Sequence, residues 1–192
     1  YSKWSSIPII NALTDIEHPC QALADFFTIQ EEFNGFENVV LTFIGDGNNV
    51  ANSLILCAAI LGSKIRILCP KGFEPNSKII TKARELNNNF DLVITDDFEV
   101  ALKESNVLYT DVWSSMGQEN QKLSKDVKFK GYMLNLNMLQ KASSDAIIMH
   151  CLPAYRGKEI TDEVFEHPNS RIFGQAENRM HVQQALLCHL IK

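Results

Sequence analysis

Short, almost wholly apolar runs recur along this chain at the spacing of a strand, a helix and a second strand. Val39-Val40-Leu41-Thr42-Phe43-Ile44 is the first, closed by the turn-forming Gly45-Asp46-Gly47-Asn48-Asn49. Residues 50–61 then read as an apolar helix stopped by Gly62, and residues 64–69 as a second strand ended by Pro70. A helix is expected over 77–87, with Lys78, Lys82, Arg84 and Glu85 on its wet side. Further strands are expected at 91–95, 106–110 and 146–150, a short helix at 97–104, and a sixth strand at Arg171-Ile172-Phe173. Unbroken apolar character marks strands covered on both faces, as in parallel sheets. Alternation with helices is the pattern of crossover connections. The expected fold is α/β: a doubly wound, Rossmann-like parallel sheet over residues 36–175, with helices on both faces. Two amphipathic helices flank it, at 20–33 and 177–191, able to pack on the sheet or on something beyond it.

Composition narrows the function classes. Hydrophobic residues make up 45% of the 192 and charged residues 21%, an ordinary globular balance. The net charge of −5, with no basic run, argues against a nucleic-acid partner. No apolar stretch approaches the ~20 residues of a membrane span, and the first residues do not read as a secretion signal. Cys20, Cys57, Cys69, Cys151 and Cys188 are odd in number and lack Cys-x-x-Cys spacing, so a reducing, cytoplasmic setting is expected and no disulfide framework.

Open α/β sheets bind ligands beyond the carboxyl ends of their strands. Five strand exits carry polar or reactive residues, and three are chemically rich. After the first strand, Gly45-x-Gly47 suggests a dinucleotide turn, but Val50 stands where a third glycine belongs. Asn49 remains as an amide donor beside a helix N-terminus. Asp111, followed by Ser114-Ser115-Met116-Gly117, suits an ammonium group, or simply caps a helix. His150-Cys151-Leu152-Pro153 places a thiol at a strand end, where it is either a reactive group or a small buried hydrophobe. Metal ligation needs His18, Cys20, His150 and Cys151 brought together by the fold, and no metal is expected. His18 and Gln21 lie three apart where a Pro-initiated helix begins, so both can face one ligand. Glu177-Asn178-Arg179 reads as the opening of the last helix, where an arginine opposes the helix dipole and hints at an anionic partner.

Taken together and in order, His18-Pro-x-Gln21, Gly45-Asp-Gly-Asn-Asn49, Asp111-x-x-x-Ser115-Met-Gly117, His150-Cys-Leu-Pro153 and Glu177-Asn-Arg179 resemble the ornithine-using members of the aspartate/ornithine carbamoyltransferase family. The resemblance implies transfer of a carbamoyl group from carbamoyl phosphate to the δ-amine of L-ornithine, giving L-citrulline and phosphate in arginine metabolism. It implies no metal or organic cofactor. His18, Gln21, Cys151, Leu152 and Arg179 then correspond to the carbamoyl phosphate site. Asn49, Asp111, Ser115 and Met116 correspond to the ornithine site. His18, Asp111 and Cys151 take the catalytic roles, with Cys151 orienting the amine rather than attacking. Putrescine, lacking an α-carboxylate, would leave Asn49 without a partner, and aspartate-using relatives differ at Cys151.

The resemblance also divides the chain. Residues 1–35 correspond to the end of an N-terminal domain and an interdomain helix, 36–175 to the ornithine-binding domain, and 176–192 to a returning helix. The family's Ser-x-Arg-Thr phosphate loop has no counterpart here. The expectation is therefore a chain that is inactive alone, whose flanking helices pack on an absent first domain, and whose full-length form is a homotrimer through that domain. Two other readings use the same residues: a non-catalytic amino-acid-binding module, and a nucleotide-binding oxidoreductase domain.

Overall fold

The computed structural model describes residues 1–113 and 122–191. Five strands form one parallel sheet: β1 (Val40–Ile44), β2 (Lys64–Leu68), β3 (Leu92–Thr95), β4 (Val107–Thr110) and β5 (Ile147–His150). Their order is β3-β2-β1-β4-β5. The chain therefore builds outward from β1 in one direction, then returns to add β4 and β5 on the other side. The switch point lies between β1 and β4.

Strand alternation sends side chains to two cores. Leu41, Phe43, Ile65, Ile67, Val107, Tyr109, Ile147 and Met149 face one, which also holds Ala22, Phe26 and Ile29 of α1 (Pro19–Phe33) and Leu54 and Ile55 of α2 (Asn49–Leu61). Ile44, Leu68, Leu108 and Ile148 face the other, with Ala101 and Leu102 of α4 (Phe98–Leu102), Met138 of α6 (Leu136–Lys141) and Val164 and Phe165 of α7 (Asp162–Phe165). Burial on both faces is why these strands read as continuous apolar runs rather than as alternating ones.

Local signals set the helix ends. Asn48 caps α2, its Oδ1 accepting from the backbone N–H groups of Val50 and Ala51, and Gly62 ends that helix at φ 78°. Asn76 caps α3 (Ser77–Leu86), and Asp97 caps α4. Helix α1 begins at Pro19, whose missing N–H costs nothing in a first turn.

Two expectations fail. Arg171-Ile172-Phe173 is not a strand. The chain exchanges two backbone hydrogen bonds with β5, from Ile148 N to Asn169 O and from Arg171 N to Ile148 O, and then turns into helix α8 (Ile172–Leu190). Arg179 accordingly stands well inside α8 and not in its first turn, so the dipole argument for an anionic partner does not apply. Sequence reading also passed over three short helices: α5 (Lys122–Phe129), α6 and α7.

The flanking helices α1 and α8 pack on each other, and both reach the sheet. Helix α8 is not amphipathic in the usual sense, since its buried residues are Ile172, Gln175 and Asn178. Among the described residues, no helix is long and apolar enough to cross a membrane.

Candidate functional site

The exits of β1, β4 and β5 converge at the switch point. Glycines shape the first of them. A Cβ on Gly47 would lie 2.3 Å from the backbone nitrogen of Pro75, and Gly47 N donates to Phe73 O at 2.8 Å. The glycine is there because the loop after β2 crosses directly over it, which accounts for the Gly-x-Gly without a dinucleotide. The same turn is tied to α5 by Lys125, whose Nζ donates to Asp46 Oδ2 at 2.5 Å.

Asp111 follows β4 and is buried. Its Oδ2 accepts from Asn48 Nδ2 at 2.6 Å. Its Oδ1 accepts from Cys151 Sγ at 2.9 Å and from the Val112 N–H at 2.7 Å. Burial, followed by the Asp111 charge and its hydrogen bond, pushes the Cys151 thiol well above its ordinary value; a hydrogen bond with Tyr109 opposes the rise. Cys151 is therefore held as a protonated thiol at neutral pH, its Sγ donating to Asp111. Asn49, the expected ornithine ligand, points elsewhere: its Nδ2 donates to Thr14 O at 2.8 Å. Asn48, its neighbour, is the asparagine that meets Asp111. Ser115 and Met116 lie outside the described residues.

His150 stands behind Cys151 and is wholly buried with Glu159. Its Nδ1 accepts from Leu152 N at 2.9 Å, so the ring proton sits on Nε2, 3.2 Å from Glu159 Oε1. This brace holds Leu152 at φ 58°, a conformation uncommon for a residue with a side chain. Asp111, His150 and Cys151 have ligand-type atoms within 4.8 Å of one another. Each is already engaged within the chain by the hydrogen bonds above, so the donor set does not resemble an open metal site.

The N-terminus of α1 and the middle of α8 supply the rest. His18 immediately precedes α1, its backbone N–H donating to Ser53 Oγ at 2.7 Å. Burial and then the Arg179 charge lower its imidazole below the ordinary value, against Ala12 and Asp111, which raise it. The ring is neutral at pH 7, with one donor and one acceptor nitrogen. Gln21 Nε2 donates to Asp25 Oδ1 at 2.7 Å, and Gln21 Oε1 accepts from Arg179 Nη1. Arg179 forms no ion pair among the described residues. His18 Nδ1 and Arg179 Nε are buried without a hydrogen-bond partner. A native fold leaves few such groups, and each calls for an explanation.

The structure thus brings His18, Gln21, Asp111, Cys151, Leu152 and Arg179 to the carboxyl end of the sheet and turns Asn49 away. Sequence reasoning missed Asn48, Tyr109, Glu159, Gln175 and Asp25. Asp25 was the one with a local signal, standing one helical turn beyond Gln21.

Residues 37–190 match the family model described as aspartate/ornithine carbamoyltransferase, Asp/Orn binding domain, and residues 1–31 match its carbamoyl-P binding domain. An ornithine carbamoyltransferase of Prochlorococcus marinus is 67% identical over 193 residues, covering 100% of this chain and 62% of the relative. The crystal structure of ornithine carbamoyltransferase from Gloeobacter violaceus superposes with a TM-score of 0.89 at 43% identity, covering 100% of this chain and 65% of that one. The ornithine carbamoyltransferase from Pyrococcus furiosus does so at 0.92 and 41%, covering 97% and 60%. The chain spans 62% of the length of two curated Prochlorococcus marinus relatives that it matches.

Proposed function

We propose, on the premise that this chain belongs to the aspartate/ornithine carbamoyltransferase family, that it supplies the ornithine half, and part of the carbamoyl phosphate half, of a carbamoyl-transfer site. The complete protein would pass the carbamoyl group of carbamoyl phosphate to the δ-amine of L-ornithine, giving L-citrulline and phosphate. The observation that carries this reading is Arg179, a half-buried cation with no carboxylate partner among the described residues, set beside the unpartnered Nδ1 of His18. A phosphorylated carbamoyl group brings the anion that Arg179 lacks and a polar partner for the unmet imidazole nitrogen.

Attack of an amine on the carbamoyl carbon puts negative charge on its oxygen. Neutral His18 and cationic Arg179 stabilise that charge in place, without reorganising at the moment of reaction. Gln21 and the Leu152 backbone hold the carbamoyl group, and Asp111 holds the α-ammonium of ornithine. Ser115 and Met116 are further ligands of ornithine in this reading, and Asn49 joins them only on giving up its bond to Thr14 O. Cys151, kept as a thiol, orients the amine. Holding two charged substrates in line accounts for much of the acceleration. Phosphate leaves readily, and neither metal nor organic cofactor has a step to perform.

The protein is further proposed to act in the cytoplasm, without nucleic-acid or membrane partners, and as a homotrimer at its full length. Residues 1–35, 36–175 and 176–192 are proposed as the end of a first domain, the ornithine-binding domain and a returning helix.

The test is citrulline formation by these 192 residues grafted onto the remaining residues of the Prochlorococcus marinus relative, with putrescine and L-aspartate as parallel acceptors. Activity with ornithine alone is expected, and none from the 192 residues by themselves. Ornithine binding without turnover in the graft would favour the amino-acid-binding module instead.

A further inference from the structure

A glutamine amide donates at one end and accepts at the other, so the end facing a ligand decides what it recognises. Its partners assign that orientation. Gln21 Nε2 faces Asp25, which is wholly buried one turn along α1. Asp25 gathers donors from two further elements: Gln175 Nε2 of α8 at 2.6 Å and the Tyr109 hydroxyl of β4 at 3.1 Å. Gln175 extends the cluster to β5, its Oε1 accepting from His150 N at 2.9 Å. Three elements thus converge on one carboxyl group, with a fourth, β5, reached through Gln175, and nothing in the proposed reaction requires that carboxyl to touch substrate.

We propose that Asp25 is a positioning residue that holds Gln21 with its carbonyl oxygen toward the site, so that the site selects a substrate presenting an N–H₂ group at that point. This rests on the function proposed above, in which Gln21 meets the carbamoyl group. A carboxylate can only accept, so it captures the Nε2 end of Gln21 and leaves Oε1 outward, where it accepts from Arg179 Nη1 and keeps a second lone pair for a ligand. A proton added at Oδ2 leaves Oδ1 an acceptor for Gln21, so the orientation holds in both states. Burial raises Asp25 to about 7, against the hydrogen bonds from Gln21, Gln175 and Tyr109 and the charge of Arg179. Cys57 of α2 and Cys151 after β5 are the other titratable groups that feel it.

Two readouts test this. In the 192-residue chain, the Gln21 side-chain amide resonances should shift as Asp25 titrates near pH 7. They should stay dispersed but lose that pH response in Asp25→Asn, which keeps an acceptor. In Asp25→Leu they should fall to solvent-exposed positions. Resonances unmoved by any of these changes overturn the proposal. In the grafted enzyme, Asp25→Leu should raise KM for carbamoyl phosphate about tenfold, the scale of one misoriented hydrogen bond, while KM for ornithine moves less than about threefold. Asp25→Asn should stay within about threefold of the parent on both. Equal rises in both KM values, or a lowered Tm with unchanged kinetics, overturn the positioning role. A parent graft that makes no citrulline overturns the functional reading alone, and the amide resonances then decide the orientation of Gln21.

Discussion

The two halves of the candidate site are built on opposite terms. At the exits of β1, β4 and β5, the Asp111 carboxylate accepts from Asn48, Cys151 and Val112 within the chain. Between α1 and α8, His18 Nδ1 and Arg179 Nε are buried with nothing to bond. The first half is an acceptor site assembled in advance. The second holds an unmet donor, Arg179 Nε, and an unmet imidazole nitrogen, His18 Nδ1, which the proposed function supplies with a bound anion. A folded chain tolerates orphaned donors where a ligand will satisfy them, and elsewhere they are destabilising by about 1–3 kcal/mol each.

The largest expected effect lies in the unsatisfied half. Arg179→Gln should lower kcat/KM of the grafted enzyme about 10²–10³-fold, the scale of losing one donor to developing charge. Its Tm should hold or rise, because an uncompensated cation has gone. Activity within about tenfold of the parent would break the contrast.

The next effect concerns the carboxyl behind that half. Asp25 titrates at about 7 in the fold against a reference of 3.8. Between those values the folded chain keeps a proton that the unfolded chain has lost. Its contribution to stability is therefore present at low pH and lost as pH rises from about 4 towards 7, at about 1.4 kcal/mol for each unit. Urea unfolding at pH 5 and pH 7.5 should show Asp25→Asn gaining on the parent at the higher pH. Parallel behaviour at both pH values would mean that Asp25 is ionised throughout.

In the satisfied half, Asp111→Ala strands the Asn48 amide and the Cys151 thiol. It should lower unfolding stability by about 1–3 kcal/mol, read from the urea midpoint. An unmoved midpoint would show that water replaces the carboxylate without loss. Cys151→Ser should cost the graft about tenfold in kcat/KM, the scale of one hydrogen bond, and mass spectrometry should find no carbamoyl adduct on the parent's Cys151. Such an adduct would make the thiol a nucleophile after all. The smallest effect is remote from both halves. Arg171→Ala removes a partly exposed pair with Glu32, 2.6 Å apart, and should change stability by only about 0.5 kcal/mol.

Much of the fold was legible because its causes are local. Residues 39–44 and 146–150 read as strands because burial on both faces leaves no room for polar alternation. Gly62 marked the end of one helix because it takes the left-handed conformation, and Pro19 the start of another because its missing N–H costs nothing there. The failures have a common cause. Residues 171–173 carry strand-like side chains, but only two backbone bonds to β5 are available before the chain turns into α8. Arg179 was misplaced because the residues just before it, Gly174-Gln175-Ala176, gave no reason to start the helix earlier. At the site, Asn49 and Asn48 are indistinguishable by motif. Which of them turns toward Asp111 depends on the cap geometry of α2.

The succession of the five strands and the helices between the first four, the polar residues at the strand exits and the family likeness were determined by the sequence alone, through periodicity, capping and motif. Only the tertiary structure decided that β4 lies beside β1. That placement puts Asn48 within 2.6 Å of Asp111 across a sequence separation of 63. It also decided that Gln175 meets Asp25 across a separation of 150. Periodicity tells a residue which way to face and is silent about what stands opposite, and it is the group opposite that satisfies a buried donor, shifts a carboxyl or leaves an arginine nitrogen without a partner.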